Sequence, residues 1–209
     1  MIHPVQRLTA PLTVEDGWTL AKLHRESIPD GFLTSLGLGV LRELYLGFAS
    51  SAHATIHVSR EEGRIVGFIA CAEDTGAVYR DVLRRRGVNL AWRAAALLLS
   101  PKRLWRATET LFYPSRGGFE DLPRAEVLNF CVRSELRGGG HGRALFETAM
   151  RELADRGVRA VRIVTGASQD RAQRFYRAAR CEEWGAAEVH VGSGSVVFIH
   201  RPLVVTNAE

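Results

Sequence analysis

The 209-residue chain has few cysteines, no long apolar run and no strong excess of charge of either sign. Its three cysteines, Cys71, Cys131 and Cys181, include no C-x-x-C pair, and their odd number and apolar surroundings predict free, buried thiols in a reducing cytosol. No apolar run approaches the ~20 residues that span a bilayer, and polar residues interrupt the N-terminus where a signal peptide would have its apolar core. The sequence therefore predicts a cytoplasmic protein without an integral membrane segment.

The net charge of +5 is carried almost wholly by arginine and is scattered along the chain. This balance favours an anionic ligand, but it is too small and too dispersed to predict nucleic-acid binding. None of the seven histidines has metal-ligand spacing with another histidine, a cysteine or a carboxylate, so no metal site is predicted. The chain also lacks a Gly-x-Ser-x-Gly elbow, and Cys131 has only Arg133 as a basic neighbour, so neither serine nor cysteine is predicted as a nucleophile.

The most informative stretch runs from Arg137 to Arg143 and has the sequence Arg-Gly-Gly-Gly-His-Gly-Arg. An apolar run precedes it and a helical pattern follows it, which indicates a strand, a glycine-rich turn and then a helix. The glycines let a ligand approach the backbone, and the first amides of the helix have no intrahelical partners. With the positive end of the helix dipole behind them, these amides predict a site for phosphate or pyrophosphate.

The spacing within this loop decides between kinds of phosphate ligand. A Walker loop needs lysine after its last glycine, where this chain has Arg143, and the glycines also miss the G-x-G-x-x-G spacing of dinucleotide sites. The pattern Arg-x-x-Gly-x-Gly, formed by Arg137, Gly140 and Gly142, resembles the acyl-CoA pyrophosphate loop of the GNAT superfamily of N-acyltransferases. The resemblance covers residues 126–185 well and the remainder loosely. It implies acetyl-CoA as co-substrate, held by Arg137, Gly138, Gly139, Gly140, His141, Gly142 and Arg143.

The same resemblance implies a second part of the co-substrate site. In the family, the strand before the loop and the strand after the next helix are parallel neighbours that splay apart, and the pantetheine arm lies in the gap. Carried over to this chain, the exposed strand edge consists of Phe130, Cys131 and Val132. A backbone N–H there would polarise the acetyl carbonyl. The alternative is an ordinary buried strand.

Residues 172–176, Ala-Gln-Arg-Phe-Tyr, resemble the family's second motif, N-x-x-A-x-x-F-Y. The resemblance implies that Tyr176 protonates the departing CoA thiolate, and a phenol would stabilise a thiol anion whose conjugate acid has a pKa of ~8.5. The alternative is a core tyrosine on an amphipathic helix. The chain departs from the motif at Gln169, where asparagine is common, and at Arg180 and Cys181, where a glycine and an aromatic residue are expected.

Glu126 begins the strand that leads to the loop, where some members of the family place a general base. The attacking amine must be neutral, so an ammonium of pKa ~10 has to lose a proton first. The alternative is a solvated glutamate at a strand end. Glu73 and His24 are weaker candidates for the base, and Asn129 is predicted to line the same gap.

Alternating strand and helix patterns predict an α/β fold, with a mixed, twisted central sheet flanked by helices in a single domain of residues 1–209. Residues 74–123 stand where the family usually has a short turn, and their helical spacing and many arginines predict a helical insertion. Three interpretations of the insertion remain open: a lid or wall of the acceptor pocket, a homodimer surface, or an amphipathic pair of helices that contacts a membrane.

Three local predictions concern the helices. Residues 33–48 are predicted to form one helix, although their glycines weaken the pattern. Ser168 is predicted to cap the helix that carries Tyr176. Glu147 and Arg151, four residues apart, are predicted to form an ion pair on the helix after the loop.

These features predict an acyl-CoA-dependent N-acyltransferase that transfers an acetyl group from acetyl-CoA to a primary amine of a small-molecule acceptor. Direct attack of the amine on the thioester needs no enzyme nucleophile, which agrees with the lack of one. Two other functions remain open: a non-catalytic acyl-CoA-binding sensor or interaction module, and an acyltransferase with a membrane-associated acceptor. Release of free thiol separates the first from an enzyme, and vesicle binding tests the second.

Overall fold

The computed structural model describes residues 4–9, 11–29, 31–94, 122–190 and 193–202. Its centre is one seven-stranded sheet. The strands are β1 (Val5–Leu8), β2 (Ala54–Glu61), β3 (Arg64–Ala72), β4 (Ala125–Val132), β5 (Val161–Gly166), β6 (Glu182–His190) and β7 (Ser193–His200). Their order across the sheet is β1-β2-β3-β4-β5-β7-β6. Only the β4–β5 pair of this described sheet is parallel, so the prediction of a mixed α/β fold is confirmed.

Helices cover both faces of the sheet. They are α1 (Val14–Ser27), α2 (Phe32–Ser35), α3 (Leu38–Ser50), α4 (Thr75–Ala94), α5 (His141–Asp155) and α6 (Asp170–Ala178), with a 3₁₀ turn at Ser134–Leu136. The helices α1, α3 and α4 pack on one face, and α5 and α6 pack on the other. Each face has its own apolar cluster, as expected for a sheet buried between two helical layers.

Local sequence signals account for several element boundaries. Thr13 accepts a hydrogen bond from the Asp16 amide at 3.0 Å and caps α1, as its position predicts. The β2–β3 hairpin turns through Gly63 at φ 79°, a conformation that glycine adopts without strain. The β3 strand lies between β2 and β4 and is buried along nearly its whole length, so it is a central strand of the sheet.

The three local helix predictions are wrong. Residues 33–48 do not form one helix, because Gly37 lies at φ 91° and the chain breaks there into α2 and α3. The N-cap of α6 is Gln169, without a side-chain cap, and Ser168 is exposed. Glu147 pairs with the residue four positions before it, not after it: its Oε1 lies 2.7 Å from Nε of Arg143.

The α5 helix is tied to β2 by polar contacts rather than by apolar packing alone. His57 Nε2 lies 2.7 Å from Glu152 Oε2 near the C-terminal end of α5. Ser59 Oγ lies 2.8 Å from His141 Nδ1 at its N-terminal end. Side chains at alternate positions of a strand share one face, so Thr55, His57 and Ser59 form a buried polar row beneath α5. This row fixes both ends of the helix on the sheet.

Only part of the predicted insertion is described. The α4 helix begins at Thr75, directly after β3, and packs on α3. Residues 95–121 lie outside the described residues, so the division into one domain with an insertion at residues 74–123 stays a prediction. Within the described ranges, no helix is both long and apolar enough to cross a membrane.

A buried histidine beneath α1 makes the stability of the fold depend on pH. His24 is almost fully buried, and its Nδ1 lies 2.5 Å from the hydroxyl of Tyr45. Burial lowers the pKa of His24 to about 4. The unfolded chain therefore takes up a proton at this residue below pH ~6.5, whereas the folded chain does so only near pH 4. The stability that neutral His24 provides is complete above pH ~6.5 and is lost as the pH falls toward the folded-state value.

We expect the free energy of unfolding to be about 2 kcal/mol lower at pH 5 than at pH 7 because of His24 alone. In His24→Gln, which keeps a polar partner for Tyr45, this part of the pH dependence should disappear. Denaturant titrations at the two pH values measure the difference. His53→Gln, at an exposed histidine, is the control and should keep the wild-type dependence. An unchanged dependence in His24→Gln would contradict this assignment.

Candidate active site

The parallel pair β4–β5 is joined only at its start. Ala125 to Val127 pair with Val161 to Ile163, and beyond them β5 continues beside β7 to Gly166. In the described part of the sheet, the last five residues of β4, from Leu128 onward, therefore have no β5 partner. The two strands separate there and leave a gap with one open edge of β4.

A bulge in β4 lies where the separation begins. On the β3 side, Cys71 pairs with Val127 and Ala70 pairs with Asn129, so Leu128 is an extra residue. A bulge bends the strand and shifts its alternation. Before the bulge Val127 packs on the α5 side, and after it Phe130 packs there, whereas Cys131 joins the cluster beneath α1 and α3.

The glycine-rich turn connects this open edge to α5. Gly138 and Gly140 lie at φ 93° and 98°, in the left-handed region that favours glycine. The first helical hydrogen bond runs from the Ala144 amide to the Gly140 carbonyl. The amides of Gly142 and Arg143 therefore have no hydrogen-bond acceptor within the helix. These amides face the same end of the helix as the positive pole of its dipole, which suits a phosphate.

Two side chains of the loop bind the sheet beneath it. His141 is 2% exposed and reaches Ser59 across the sheet face, so its side chain anchors the loop while its backbone remains part of the turn. Arg137 Nε donates a hydrogen bond to the Val132 carbonyl at 2.9 Å. These two predicted cofactor-binding residues therefore also hold the loop on the sheet, a role that sequence spacing did not reveal.

A cavity of about 710 Å³ lies between α5 and α6 and begins at the glycines of the loop. We call it the α5–α6 groove. Phe146 and Phe175 contribute aromatic surface, and their ring centroids lie 5.6 Å apart. Phe175 also contacts Phe130 of the open strand edge, with centroids 5.3 Å apart. Four arginines line the groove as well: Arg143, Arg151, Arg180 and Arg201. Such a lining suits a ligand that combines a planar ring with phosphates.

Tyr176 lies behind the groove, on the core side of α6. It is 6% exposed and packs against Phe146, Phe175 and Phe198. Burial raises the pKa of Tyr176 above its ordinary value, so the phenol stays protonated at neutral pH. The geometry therefore agrees with a proton donor, and equally with the alternative of a core tyrosine.

Glu126 lies on the opposite face of the sheet from Tyr176. Its Oε2 accepts hydrogen bonds from Arg162 Nη2 at 2.6 Å and Nε at 3.0 Å, and from Thr75 Oγ1 at 2.9 Å. The side chain is 13% exposed and is therefore not a solvated strand-end glutamate. The structure does not bring the two predicted catalytic residues together on one face of the sheet.

Sequence reasoning missed the residues that surround Glu126. Arg162 is a buried arginine in an otherwise apolar strand, and it stands directly opposite Glu126 in the β4–β5 register. Thr75 and Tyr79 come from α4, and the pKa of Tyr79 is raised by burial and then by the Glu126 charge. The signal for Arg162 was present, since a charged residue within an apolar strand needs a buried partner.

The weaker candidates for catalytic groups have other roles. Burial raises the pKa of the Cys131 thiol to about 12, so this residue is a neutral core thiol. Glu73 binds Arg156, which follows the C-terminus of α5, at the end of the helix opposite the loop. His24 is neutral and is held by Tyr45. Asn129 is buried beside the bulge.

Comparisons with known proteins agree with this geometry. A family profile described as "Acetyltransferase (GNAT) family" matches residues 22–180. No curated protein sequence matches the chain. Similar solved structures include a GNAT-family protein from Desulfovibrio desulfuricans, with 14% identity, a TM-score of 0.60, and coverage of 96% of this chain and 99% of that one.

Two further solved structures cover 99% of both chains. One is a histone acetyltransferase HPA2 and related acetyltransferase from Corynebacterium glutamicum, with 17% identity and a TM-score of 0.61. The other is the ribosomal-protein-S18-alanine N-acetyltransferase from Escherichia coli, with 11% identity and a TM-score of 0.56. At these identities the likeness concerns the fold, whereas the profile match spans most of the sequence and confirms the predicted class of enzyme. The chain belongs to the acetyltransferase (GNAT) family.

Proposed function

We propose that the protein transfers an acetyl group from acetyl-CoA to a primary amine of a small-molecule acceptor. The observation that carries the proposal is the end of β4–β5 pairing at Val127, directly before the glycine-rich turn. It leaves an open strand edge in line with the amides at the start of α5. A thioester that enters from the α5–α6 groove would pass its pyrophosphate over those amides and its arm into the gap.

The shape and the side chains of the groove suit the nucleotide part of CoA. Gly138 and Gly140 hold the turn in a conformation that few other residues adopt, and Gly140, the N-cap of α5, has no side chain to cap the helix. An ideal Cβ at Gly142 would lie 3.5 Å from Phe130 and 3.8 Å from Phe175, so this glycine sits directly on the aromatic surface. Phosphate would thus meet backbone amides, and an adenine ring would find aromatic and arginine side chains.

The acceptor is proposed to enter from the opposite face, where Glu126, Thr75 and Tyr79 lie. The amine nitrogen attacks the thioester carbonyl carbon, the C–S bond breaks, and the sulfur leaves as a thiolate. Glu126 receives the ammonium proton before the attack, directly or through water. Tyr176 gives a proton to the thiolate, and the second proton, which the nitrogen loses as the amide forms, replaces it on Tyr176. The α4 helix then acts as one wall of the acceptor pocket, which is the first of the three interpretations of the insertion.

The proposal of a small acceptor rests on charge. In the described part of the acceptor side, the carboxylate of Glu126 is matched by the guanidinium of Arg162, so no acidic trough selects a basic peptide. A membrane-associated acceptor is the second candidate, because Val88 and Trp92 on α4 are 85% and 83% exposed, beside the exposed Arg84 and Arg85. Co-sedimentation with anionic vesicles tests that candidate.

Release of free thiol from acetyl-CoA in the presence of a panel of amino sugars, diamines, amino acids and peptides tests the function. We expect turnover with at least one small amine. Gly142→Val should lower acetyl-CoA affinity about 100-fold, because the branched side chain occupies the place where phosphate meets the amides. Gly87→Val, at a helical glycine whose Cβ would meet nothing within 4 Å, is the matched control.

The outcomes separate the rival functions. Binding of acetyl-CoA without thiol release on any amine would favour a non-catalytic sensor. A folded Gly142→Val protein with wild-type affinity would contradict the placement of the phosphates at this loop. Turnover restricted to peptides would overturn the small-molecule acceptor and leave the acetyl transfer intact.

Tyr176→Phe tests the proton donor. The change removes one hydroxyl from a ring that should keep its packing against Phe146 and Phe198, so the fold and acetyl-CoA affinity should be little changed. We expect kcat to fall by roughly 10²-fold or more. Phe198→Leu, which alters the same cluster without removing a hydroxyl, is the control for packing. Wild-type kcat in folded Tyr176→Phe would return Tyr176 to a purely structural role.

Glu126→Gln tests the base, but this change also leaves the buried Arg162 without its counter-charge, which destabilises a fold by about 3 kcal/mol or more. The double variant Glu126→Gln with Arg162→Gln removes both charges together. If Glu126 is the base, both variants should lose activity near neutral pH and regain part of it as rising pH deprotonates the amine. If Glu126 only holds Arg162, the double variant should recover activity. Pre-steady-state rates across pH 6 to about 10 distinguish these results.

A further inference from the structure

The C-terminus of α6 ends in an unusual backbone conformation. Arg180 lies at φ 58°, in the left-handed region, where side chains with a Cβ are disfavoured. The Cys181 amide donates to the Tyr176 carbonyl at 2.9 Å, and the Arg180 amide donates to the Arg177 carbonyl at 3.0 Å. These two hydrogen bonds form a helix stop whose left-handed position is usually glycine.

The same stop occurs with glycine elsewhere in the chain. At the end of α5, the Val158 amide donates to the Leu153 carbonyl at 2.9 Å and the Gly157 amide donates to the Ala154 carbonyl at 2.8 Å. Gly157 lies at φ 82°. At the end of α6 the same hydrogen bonds form although the left-handed position holds arginine instead of glycine. Glycine would satisfy this backbone geometry with less strain, so the presence of arginine calls for an explanation in terms of its side chain.

The side chain of Arg180 is exposed and lines the α5–α6 groove. Its neighbours in the groove are mostly occupied: Arg143 pairs with Glu147, and Arg201 pairs with Glu182. No carboxylate among the described residues pairs with Arg180. The guanidinium is therefore available to an anion that enters the groove.

The distance along α6 places this anion site beside the loop but separate from it. Phe175 lies next to Gly142 at the loop end of the groove. Arg180 comes five residues later, about 7 Å further along the helix direction. Arg151, on the other wall, is ten residues from the start of α5, about 15 Å away. Of Arg151 and Arg180, the two groove arginines without a carboxylate partner among the described residues, Arg180 is therefore the nearer to the loop and to a second phosphate one ribose away from a pyrophosphate there.

We propose that Arg180 binds the 3′-phosphate of CoA and makes the enzyme selective for CoA over its 3′-dephospho form. The inference rests on the proposed function, in which acetyl-CoA occupies the groove. Arg180 takes its left-handed conformation at the point where the chain leaves α6, and its side chain lines the groove there. Arginine suits this role because its planar guanidinium forms paired hydrogen bonds with phosphate.

The test compares the binding of acetyl-CoA and 3′-dephospho-acetyl-CoA by calorimetry. Arg180→Gln should weaken the binding of acetyl-CoA about 10-fold and leave the binding of the dephospho form unchanged. Arg180→Lys should retain part of the selectivity. Arg174→Gln removes a charge from an exposed position of the same helix outside the groove, and it should bind both ligands as the wild type does.

Arg180→Gly adds a readout that a simple charge effect would not give. Glycine relieves the left-handed conformation, so we expect Tm to rise by about 2 °C while selectivity for acetyl-CoA is lost. An equal loss of affinity for both ligands, an unchanged affinity in Arg180→Gln, or a lower Tm in Arg180→Gly would overturn the proposal. If the wild-type protein bound neither ligand, the proposed function itself would fail, which is a distinguishable result.

Discussion

The site depends on the extra residue at Leu128. If β4 and β5 remained paired to their ends, the backbone groups of β4 that face β5 beyond Val127 would be used up between the two strands. The bulge bends β4 after Val127, and β5 keeps its other neighbour, β7, along its whole length. The sheet therefore remains continuous on both sides of the gap. An open strand edge in the middle of a sheet would be costly without a partner, and this one lies where an extended substrate arm could pair with it.

The loop can present its amides because the sheet holds it from below. His141 reaches Ser59 and Arg137 reaches the Val132 carbonyl, so the turn is attached on both sides of its glycines. The polar row on β2 gives α5 a fixed register as well as a buried face. A loop rich in glycine would otherwise lose much conformational entropy when it ordered around a ligand.

Local features of the site were predictable from sequence, and features that depend on strand register were not. The strand, the glycine turn and the helix are contiguous, so spacing alone indicated them. The bulge at Leu128 and the pairing of Glu126 with Arg162 depend on which residues of distant strands stand opposite each other. The alternation of β2 would ordinarily place Thr55, His57 and Ser59 toward solvent, but α5 covers them. The break at Gly37 is the opposite case. The glycine was a local signal for a helix break, but the apolar spacing over residues 33–48 led to the prediction of one continuous helix.

The charge of the protein has a distribution that composition does not reveal. Part of the arginine excess surrounds the buried Glu43, where Arg42, Arg86 and Arg93 converge on one carboxylate. Trp18 covers Arg42 there, with its ring centroid 4.8 Å from the guanidinium carbon, so these cations are already engaged by the protein. In the α5–α6 groove, by contrast, arginines line a cavity of about 710 Å³ that begins at the glycines of the loop. Guanidiniums bound to buried carboxylates contribute little to the field outside the protein, whereas those around an open cavity add to the helix dipole. The attraction for an anionic co-substrate therefore comes from the basic groups that line the open groove, and not from the net charge as a whole.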